Sequence, residues 1–142
     1  MLAKQLTVFI ENRSGRLSEV LGVLKESGVN ILSLSLADTT EFGLLRLMVD
    51  NAQLGKEKLN ENGFSSLLSN VSIIQIPHEV GSLQELLRII DENGVNIEYM
   101  YGLSIESEKA HVVLKASDTE KVEQILEANG IHTISEEELA NL

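Results

Sequence analysis

Residues 12–30 read NRSGRLSEVLGVLKESGVN, and residues 78–96 repeat the pattern as HEVGSLQELLRIIDENGVN. Gly15 corresponds to Gly81, and both stretches end in Gly-Val-Asn, at a constant offset of 66 residues. A pattern that recurs at a fixed period of this kind is the signature of a duplicated structural unit. The sequence therefore predicts two copies of one fold.

The second copy contains one residue more than the first. Asn62-Gly63 matches Asn129-Gly130 at an offset of 67, so the extra residue lies earlier in that copy. The boundary between the copies falls near Ser69-Asn70, with no proline-rich or glycine-serine linker. We therefore predict two domains, 1–69 and 70–142, that pack together.

Both copies show the same order of hydrophobic patterns. Alternating apolar residues predict a first strand, and apolar residues at helical spacing then predict a helix that ends at Gly28 or Gly94. Two more strands, a second helix and a short last strand follow in each copy. The predicted strands after the first helix are 31–37, 44–49 and 64–68 in the first copy, and 97–105, 110–116 and 131–135 in the second.

This order, β-α-β-β-α-β, predicts an α+β fold. Right-handed crossovers in such a chain give a ferredoxin-like unit, a four-stranded antiparallel sheet with both helices on one face. The sequence thus predicts two ferredoxin-like units in tandem.

Three local patterns add detail. Ser117-Asp118-Thr119-Glu120 has the spacing of a capping box at the start of a helix. Tyr99 and Tyr101 alternate with Ile97 and Leu103, which predicts one strand face in the core or at an interface. The acidic run 136–138 is typical of a solvated helix start or tail.

Composition and charge exclude several classes of function. The chain has 142 residues, no cysteine and a formal net charge of −11, which disfavours nucleic acid and anionic membranes as partners. No disulfide framework or cysteine nucleophile is possible, and neither a secretory signal nor an apolar run of membrane-spanning length is present. Three scattered histidines show no metal-ligand spacing. We expect a cytoplasmic protein without cofactor or metal.

The loop that follows each first strand holds the candidate binding residues. A glycine at Gly15 or Gly81 allows a sharp turn that leaves backbone N–H groups free at a helix N-terminus, a geometry suited to a carboxylate. Asn12 adds a side chain that both donates and accepts hydrogen bonds. The alternative is that Asn12 and Ser14 only stabilise the turn and cap the helix.

The stretch Glu11-Asn12-Arg13-Ser14-Gly15-Arg16-Leu17, with Gly28-Val29-Asn30-Ile31, resembles the ACT domain, an amino-acid-sensing module of metabolic enzymes. It is similar to the regulatory domain of phosphoglycerate dehydrogenase and to the regulatory subunit of acetolactate synthase. The resemblance covers nearly the whole chain. It implies that a ligand lies between two ACT units, held by the asparagine of the first loop and the asparagine that opens the second strand.

These two positions correspond to Asn12 and Asn30 in the first copy. In the second copy they correspond to His78, which replaces the loop asparagine, and Asn96. The full candidate set is Asn12, Arg13, Ser14, Gly15, Asn30, His78, Gly81 and Asn96. Ser14 and Val80 stand where the family often has a loop proline, and Ile10 stands where some relatives have a ligand-contacting histidine.

The resemblance implies a regulatory protein that binds an amino acid or related small carboxylate and has no catalytic activity of its own. An alternative is a separate regulatory subunit of an amino-acid biosynthetic enzyme such as acetolactate synthase. A small ferredoxin-like enzyme is a third reading, but no nucleophile-base pair or phosphate loop supports it. We expect a homodimer. The ligand pocket joins Asn12 to Asn96 within one chain, or Asn12 to Asn30 between two chains.

Overall fold

The computed structural model describes residues 2–11, 13–38, 42–106 and 108–141. They fall into two compact units, Lys4–Ser69 and the residues from Asn70 onward together with Leu2 and Ala3. The strands are β1 (Leu2–Glu11), β2 (Ile31–Asp38), β3 (Phe42–Val49), β4 (Ser65–Pro77), β5 (Ile97–Ile105) and β6 (Lys109–Ala116). The helices are α1 (Arg16–Glu26), α2 (Ala52–Glu61), α3 (Ser82–Glu92), α4 (Thr119–Ala128) and α5 (Glu136–Ala140).

The first unit follows the predicted order of elements. Its antiparallel strands lie in the order β2-β3-β1, and β1 in turn neighbours β4, whose first residues belong to this unit. Alternate residues of β1 and β3 face α1 and α2, because successive side chains of a strand point to opposite faces. The resulting core contains Leu6, Val8, Ile10, Val20, Leu24, Leu45, Leu47 and Leu59.

The second unit repeats this arrangement with β4-β6-β5 and the helices α3 and α4. Its core contains Ile74, Ile76, Leu86, Ile90, Leu114, Val122, Ile125 and Leu126. Most of the apolar positions that predicted strand and helix in the two copies are therefore buried or partly buried, with Leu83 of α3 an exposed exception. The prediction of two tandem ferredoxin-like units is confirmed.

Left-handed glycines occur at matching places in the two copies. Gly28 and Gly94 have φ of 72° and 73° just after the first helix, and each donates its own N–H to a carbonyl of the helix's last turn, Lys25 O at 3.1 Å and Asp91 O at 2.9 Å. Glycine adopts this conformation without a steric penalty, as the end of a helix commonly requires. The paired values show that the repeat in sequence is a repeat in backbone conformation.

The prediction that Tyr99 and Tyr101 share a strand face with Ile97 is wrong. Ile97 pairs with Ala116 of the core, but the register shifts at Glu98, so Tyr99 pairs with Lys115 on the opposite face of the sheet. A bulge inserts one residue into a strand and thereby reverses the alternation beyond it. The two tyrosine rings stack with their centroids 6.5 Å apart on the face away from the helices.

The last strand predicted at 131–135 is reduced to a single bridge between Ile74 and Thr133. Two backbone hydrogen bonds flank it, from Gln75 N to His132 O at 3.0 Å and from Ile134 N to Ile73 O at 2.8 Å. The pairing stops there because Ser135 caps α5, accepting a hydrogen bond from Glu138 N. The acidic run is thus the exposed start of a helix, one of the two predicted outcomes.

Two further boundaries differ from prediction. The N-cap of α4 is Asp118, which accepts a hydrogen bond from Lys121 N at 3.0 Å, so the predicted capping box does not form. Ser117 instead donates to the carbonyl of Asn96. The strand expected at 64–68 and the first strand of the second copy form one continuous strand, β4.

Within the described part of the chain, every helix is too short to cross a membrane.

Candidate functional site

The loop before α1 ends in a left-handed turn. Gly15 is the N-cap residue, with φ of 87°, and Gly81 takes the same place before α3 with φ of 86°. Neither helix has a side chain that accepts a hydrogen bond from its first turn, as far as the described residues show. Ser14 therefore does not cap α1, whereas Asn12, the other residue of that alternative, lies outside the described residues. The first N–H of each helix donates back into its own loop, and the following N–H groups of the first turn are left for solvent or a ligand.

The other residues of the first loop are exposed. The backbone N–H of Arg13 donates to Glu11 O at 2.8 Å, and its side chain lies 3.4 Å from the Glu11 carboxylate. Ser14 is exposed beside it. Asn12 lies outside the described residues. The loop thus places the positive charge of Arg13 next to the uncapped N-terminus of α1.

The second loop keeps the same backbone with different side chains. His78 is exposed and donates its backbone N–H to Glu108 O at 2.9 Å. Ser82 N donates to Glu79 O at 3.2 Å, just as Arg16 N donates to Arg13 O at 3.4 Å. The second loop therefore has an acidic residue where the first has Arg13.

Asn30 and Asn96 lie at the other end of their sheets. Ile31 pairs with Val49, whereas the residues next to the first loop pair at Glu11 with Phe42, several residues along β3. Asn30 exchanges hydrogen bonds with Asp50, and Asn96 O accepts the N–H of Ser117 at 3.0 Å. Within each unit, the loop before the first helix and the asparagine before the second strand therefore lie at opposite ends of the sheet.

Each unit has a cleft beside its loop. In the first unit a cleft of about 260 Å³ lies between the loop, α1 and the ends of β2 and β3, lined by Arg13, Leu17, Leu36 and Gly43 among others. In the second unit a cleft of about 520 Å³ lies between the loop, α3 and residues 129–132. Arg13 lines the first cleft and Gly81 lines the second, so each cleft is bordered by a predicted site residue.

Arg16 and Phe64 form a contact that the sequence patterns did not predict. The guanidinium carbon lies 4.3 Å from the centre of the Phe64 ring, and the group also pairs with Glu19 at 2.6 Å. Forty-eight positions separate the two residues in sequence. In the sequence, the only features that mark these two residues are an arginine at the start of a predicted helix and an aromatic residue after a glycine.

His111 is buried on the sheet face away from the helices, with 2% of its surface exposed. Its Nδ1 lies 2.9 Å from Ser104 Oγ, and its Nε2 lies 3.4 Å from Gln75 Oε1. Burial lowers the pKa of His111, because charging the ring would cost its hydration. Its ring hydrogen bonds and burial fit a structural role.

His132 lies on the surface and pairs with Glu138 at 2.9 Å. The hydrogen bond from His132 lowers the pKa of that carboxyl group. Across the described ranges, no three histidine, aspartate or glutamate side chains come together as a metal site would require. The geometry that remains for ligand binding is the pair of glycine loops and their clefts.

Two βαββαβ units, each with an uncapped glycine turn before its first helix, define a duplicated ferredoxin-like module. A family model described as an ACT domain pair matches residues 1–142. The chain belongs to this family, which confirms the resemblance seen in the sequence.

Curated relatives match part of the chain. The acetolactate synthase isozyme 3 small subunit of Escherichia coli (strain K12) is 35% identical over 71 residues, 50% of this chain and 42% of that protein. The acetolactate synthase small subunit of Buchnera aphidicola subsp. Schizaphis graminum is 32% identical over 85 residues, 60% of this chain and 44% of that protein. The match thus spans less than half the length of these relatives.

Solved structures match over most or all of the chain. Protein BT0572 from Bacteroides thetaiotaomicron is 34% identical, with a TM-score of 0.94 over 100% of this chain and 98% of that one. The ligand-free regulatory subunit of aspartate kinase from Thermus thermophilus is 19% identical, with a TM-score of 0.62 over 88% and 91% of the two chains. The second likeness shows the fold alone.

Proposed function

We propose that this protein is a regulatory ACT pair that binds an amino acid or a related small carboxylate and has no catalytic activity of its own. The uncapped glycine turn before the first helix of both units carries the proposal. A carboxylate at such a turn accepts hydrogen bonds from backbone N–H groups and meets the positive end of the helix dipole.

The ligand site joins the loop of one unit to the second-strand asparagine of another. This arrangement is supported by the separation of the loop and the asparagine within each unit, because Asn30 and Asn96 lie at the end of the sheet away from the loop. One site combines Asn12, Ser14 and Gly15 with Asn96, and a second combines His78 and Gly81 with Asn30. In the competing geometry, equivalent units of two chains pair and the homodimer binds the ligand.

A thermal-shift screen of the proteinogenic amino acids tests the binding function. A ligand that binds only the native state, at a hundredfold excess over its dissociation constant, adds about 2.7 kcal/mol of stability. For a chain of this size that is a rise in melting temperature of several degrees. Absence of any shift at millimolar concentration would rule out amino-acid sensing.

Two variants locate the binding loop. Gly15→Val strains the left-handed turn, and we expect it to reduce the ligand-induced shift, whereas Gly22→Ala in the middle of α1 leaves that shift unchanged. Gly81→Val tests the second loop in the same way. If the shift persists in both valine variants, the pocket lies elsewhere.

The similarity to acetolactate synthase small subunits favours a second function, a separate regulatory subunit in amino-acid biosynthesis. In that case the chain acts in the cytoplasm on a larger catalytic partner. The test is to mix the purified chain with the acetolactate synthase catalytic subunit of the same organism and to measure the reaction rate with and without amino acid. An unchanged rate under both conditions rejects this partner and leaves the binding function to its own test.

A further inference from the structure

The first residue of the first helix differs between the two copies. Arg16 begins α1, and Ser82 begins α3. In the first copy the guanidinium of Arg16 lies over the Phe64 ring and donates a hydrogen bond to Glu19. Only 17% of this side chain is exposed. Arg16 therefore fills the space between the start of α1 and the segment that follows α2.

The second copy has the same backbone frame without that side chain. Ile131 takes the place of Phe64, since each follows a left-handed glycine and donates its N–H at 2.9 Å to a carbonyl of the preceding helix. Serine and isoleucine fill less space than arginine and phenylalanine. Ser82 and Ile131 accordingly line the 520 Å³ cleft of this unit.

The lining of the cleft has an apolar floor and an acidic rim. Ile76, Leu86 and Ile89 provide the floor, and Glu85 stands at the rim in the place of Glu19. Glu85 already pairs with Arg88, which also pairs with Glu92, and neither of these two partners lines the cleft. Among the described residues, the lining itself contributes the Glu85 carboxylate and no lysine or arginine.

The charge of the whole second copy acts in the same direction. Residues 70–142 carry 4 basic and 14 acidic side chains, a net charge of −10, whereas residues 1–69 carry 7 and 8, a net charge of −1. A field of this sign concentrates cations and repels anions. The cleft volume lies in the range of about 300–1,000 Å³ that is usual for small-molecule sites.

We propose that the cleft between Ser82 and Ile131 binds a small molecule through a guanidinium group, in the place that the Arg16 side chain fills in the first copy. The flat cation lies against the apolar floor and donates to Glu85, whose two oxygens each accept one hydrogen bond from Arg88 and each have a second lone pair. Gly81 borders the same cleft, but the binding of a guanidinium group does not require a carboxylate at the glycine turn.

The test uses n-propylguanidinium, which reproduces the end of an arginine side chain and has no carboxylate. Its neutral control is n-propylurea, which has a similar shape without the charge. Both are titrated into the full chain, and the backbone amide resonances are followed by NMR. We expect n-propylguanidinium to shift the resonances of Ser82 and Ile131 with a dissociation constant on the order of millimolar. The urea should leave them unchanged.

Two arginine variants separate filling of the cleft from a change in charge. Ser82→Arg places the side chain of the first copy in the cleft and should weaken binding at least about tenfold. Gln84→Arg adds the same charge to α3 outside the cleft lining and should keep the affinity within about twofold. A fold check by circular dichroism accompanies both variants.

A third variant reverses the comparison. Arg16→Ser removes the side chain that fills the first copy, and n-propylguanidinium should then also shift the resonances around Phe64. Equal binding of the urea, equal weakening by the two arginine variants, or no new shifts in Arg16→Ser would each overturn the proposal. A result on amino-acid binding at Gly15 leaves it untouched, because the probe carries no carboxylate.

Discussion

Gly55 of α2 lies directly against Leu6 of β1: a Cβ atom on Gly55 would come within 3.1 Å of Leu6 Cδ2 and 3.4 Å of Leu24 Cδ2. Leu6 and Leu24 are both completely buried, so neither side chain has free space into which to move. Gly22 of α1 is also helical, but nothing lies within 4 Å of its Cβ position. The two glycines therefore differ only in their surroundings.

We expect Gly22→Ala to raise the free energy of unfolding by roughly 0.5–1 kcal/mol, because alanine is the better helix former. Gly55→Ala has the same propensity gain, but the new methyl group crowds the core, and we expect it to lower stability. Urea unfolding of the two variants beside the wild type measures this. An equal increase in the free energy of unfolding of both variants would show that α2 can move away from β1 without loss of stability.

The turn at Gly15 depends on backbone conformation alone. Nothing lies within 4 Å of the Cβ position of Gly15 or of Gly81, so a side chain added there would meet no neighbouring atom. A left-handed conformation still costs an ordinary residue roughly 1–2 kcal/mol. We expect Gly15→Ala to lose about that amount in urea unfolding, and Gly15→Asn to lose less, because asparagine tolerates this region.

Gly81 offers an internal repeat of that measurement, since its φ differs by one degree. The alanine variants at the two positions should lose similar amounts of stability. A loss confined to one of them would mean that the two turns are not equivalent in solution.

His111 predicts how stability depends on pH. Its pKa in the folded protein lies below the ordinary value of 6.5, so the unfolded chain binds the proton more readily. Stability is then complete above pH 6.5 and falls as the pH drops through 6.5 toward the folded pKa. Between about pH 7.5 and about pH 5.5, we expect the wild type to lose more free energy of unfolding than His111→Gln.

Glutamine is chosen because it preserves hydrogen bonding to Ser104 and Gln75 without a titrating ring. Hydrogen bonds from Arg88 and His132 lower the pKa values of Glu85 and Glu138. These carboxyl groups therefore affect stability at a more acidic pH, and they do so equally in the wild type and in His111→Gln. Parallel pH profiles of the two proteins would contradict the assignment.

The hydrophobic patterns predicted most of this fold because they reflect burial. Val20 and Leu24 stand four residues apart, a spacing that places them on one face of a helix, and both are buried. The strand bulge at Glu98 was not predictable, because it reverses the exposed face of β5 without leaving a glycine or proline in the sequence. The predicted last strand is reduced to one bridge at Thr133 for a different reason, since Ser135, two residues later, is the N-cap of α5 and ends the strand.

The site was predictable only in its local parts. Gly15 and Gly81 carry a signal in the sequence, because each precedes a helix and recurs at the same offset. The cleft beside Ser82 has no such signal, since it depends on the absence of the contact that Arg16 and Phe64 make across the first copy. Contacts between residues far apart in sequence leave no periodic pattern.

The units that share a ligand can be identified by mutation. In the proposed function Asn12 shares its ligand with an asparagine of another unit, because Asn30 lies at the end of its own sheet away from the loop. Double-mutant cycles in ligand affinity identify it, because residues that share one ligand commonly couple by about 0.5–3 kcal/mol, while distant sites add within about 0.5. We expect Asn12→Ala to couple with Asn96→Ala and to be additive with Asn141→Ala, an exposed asparagine at the end of α5. Coupling with Asn30→Ala in its place, together with ligand binding that weakens as the protein is diluted, would assign the site to a dimer of equivalent units and reject the intrachain pocket.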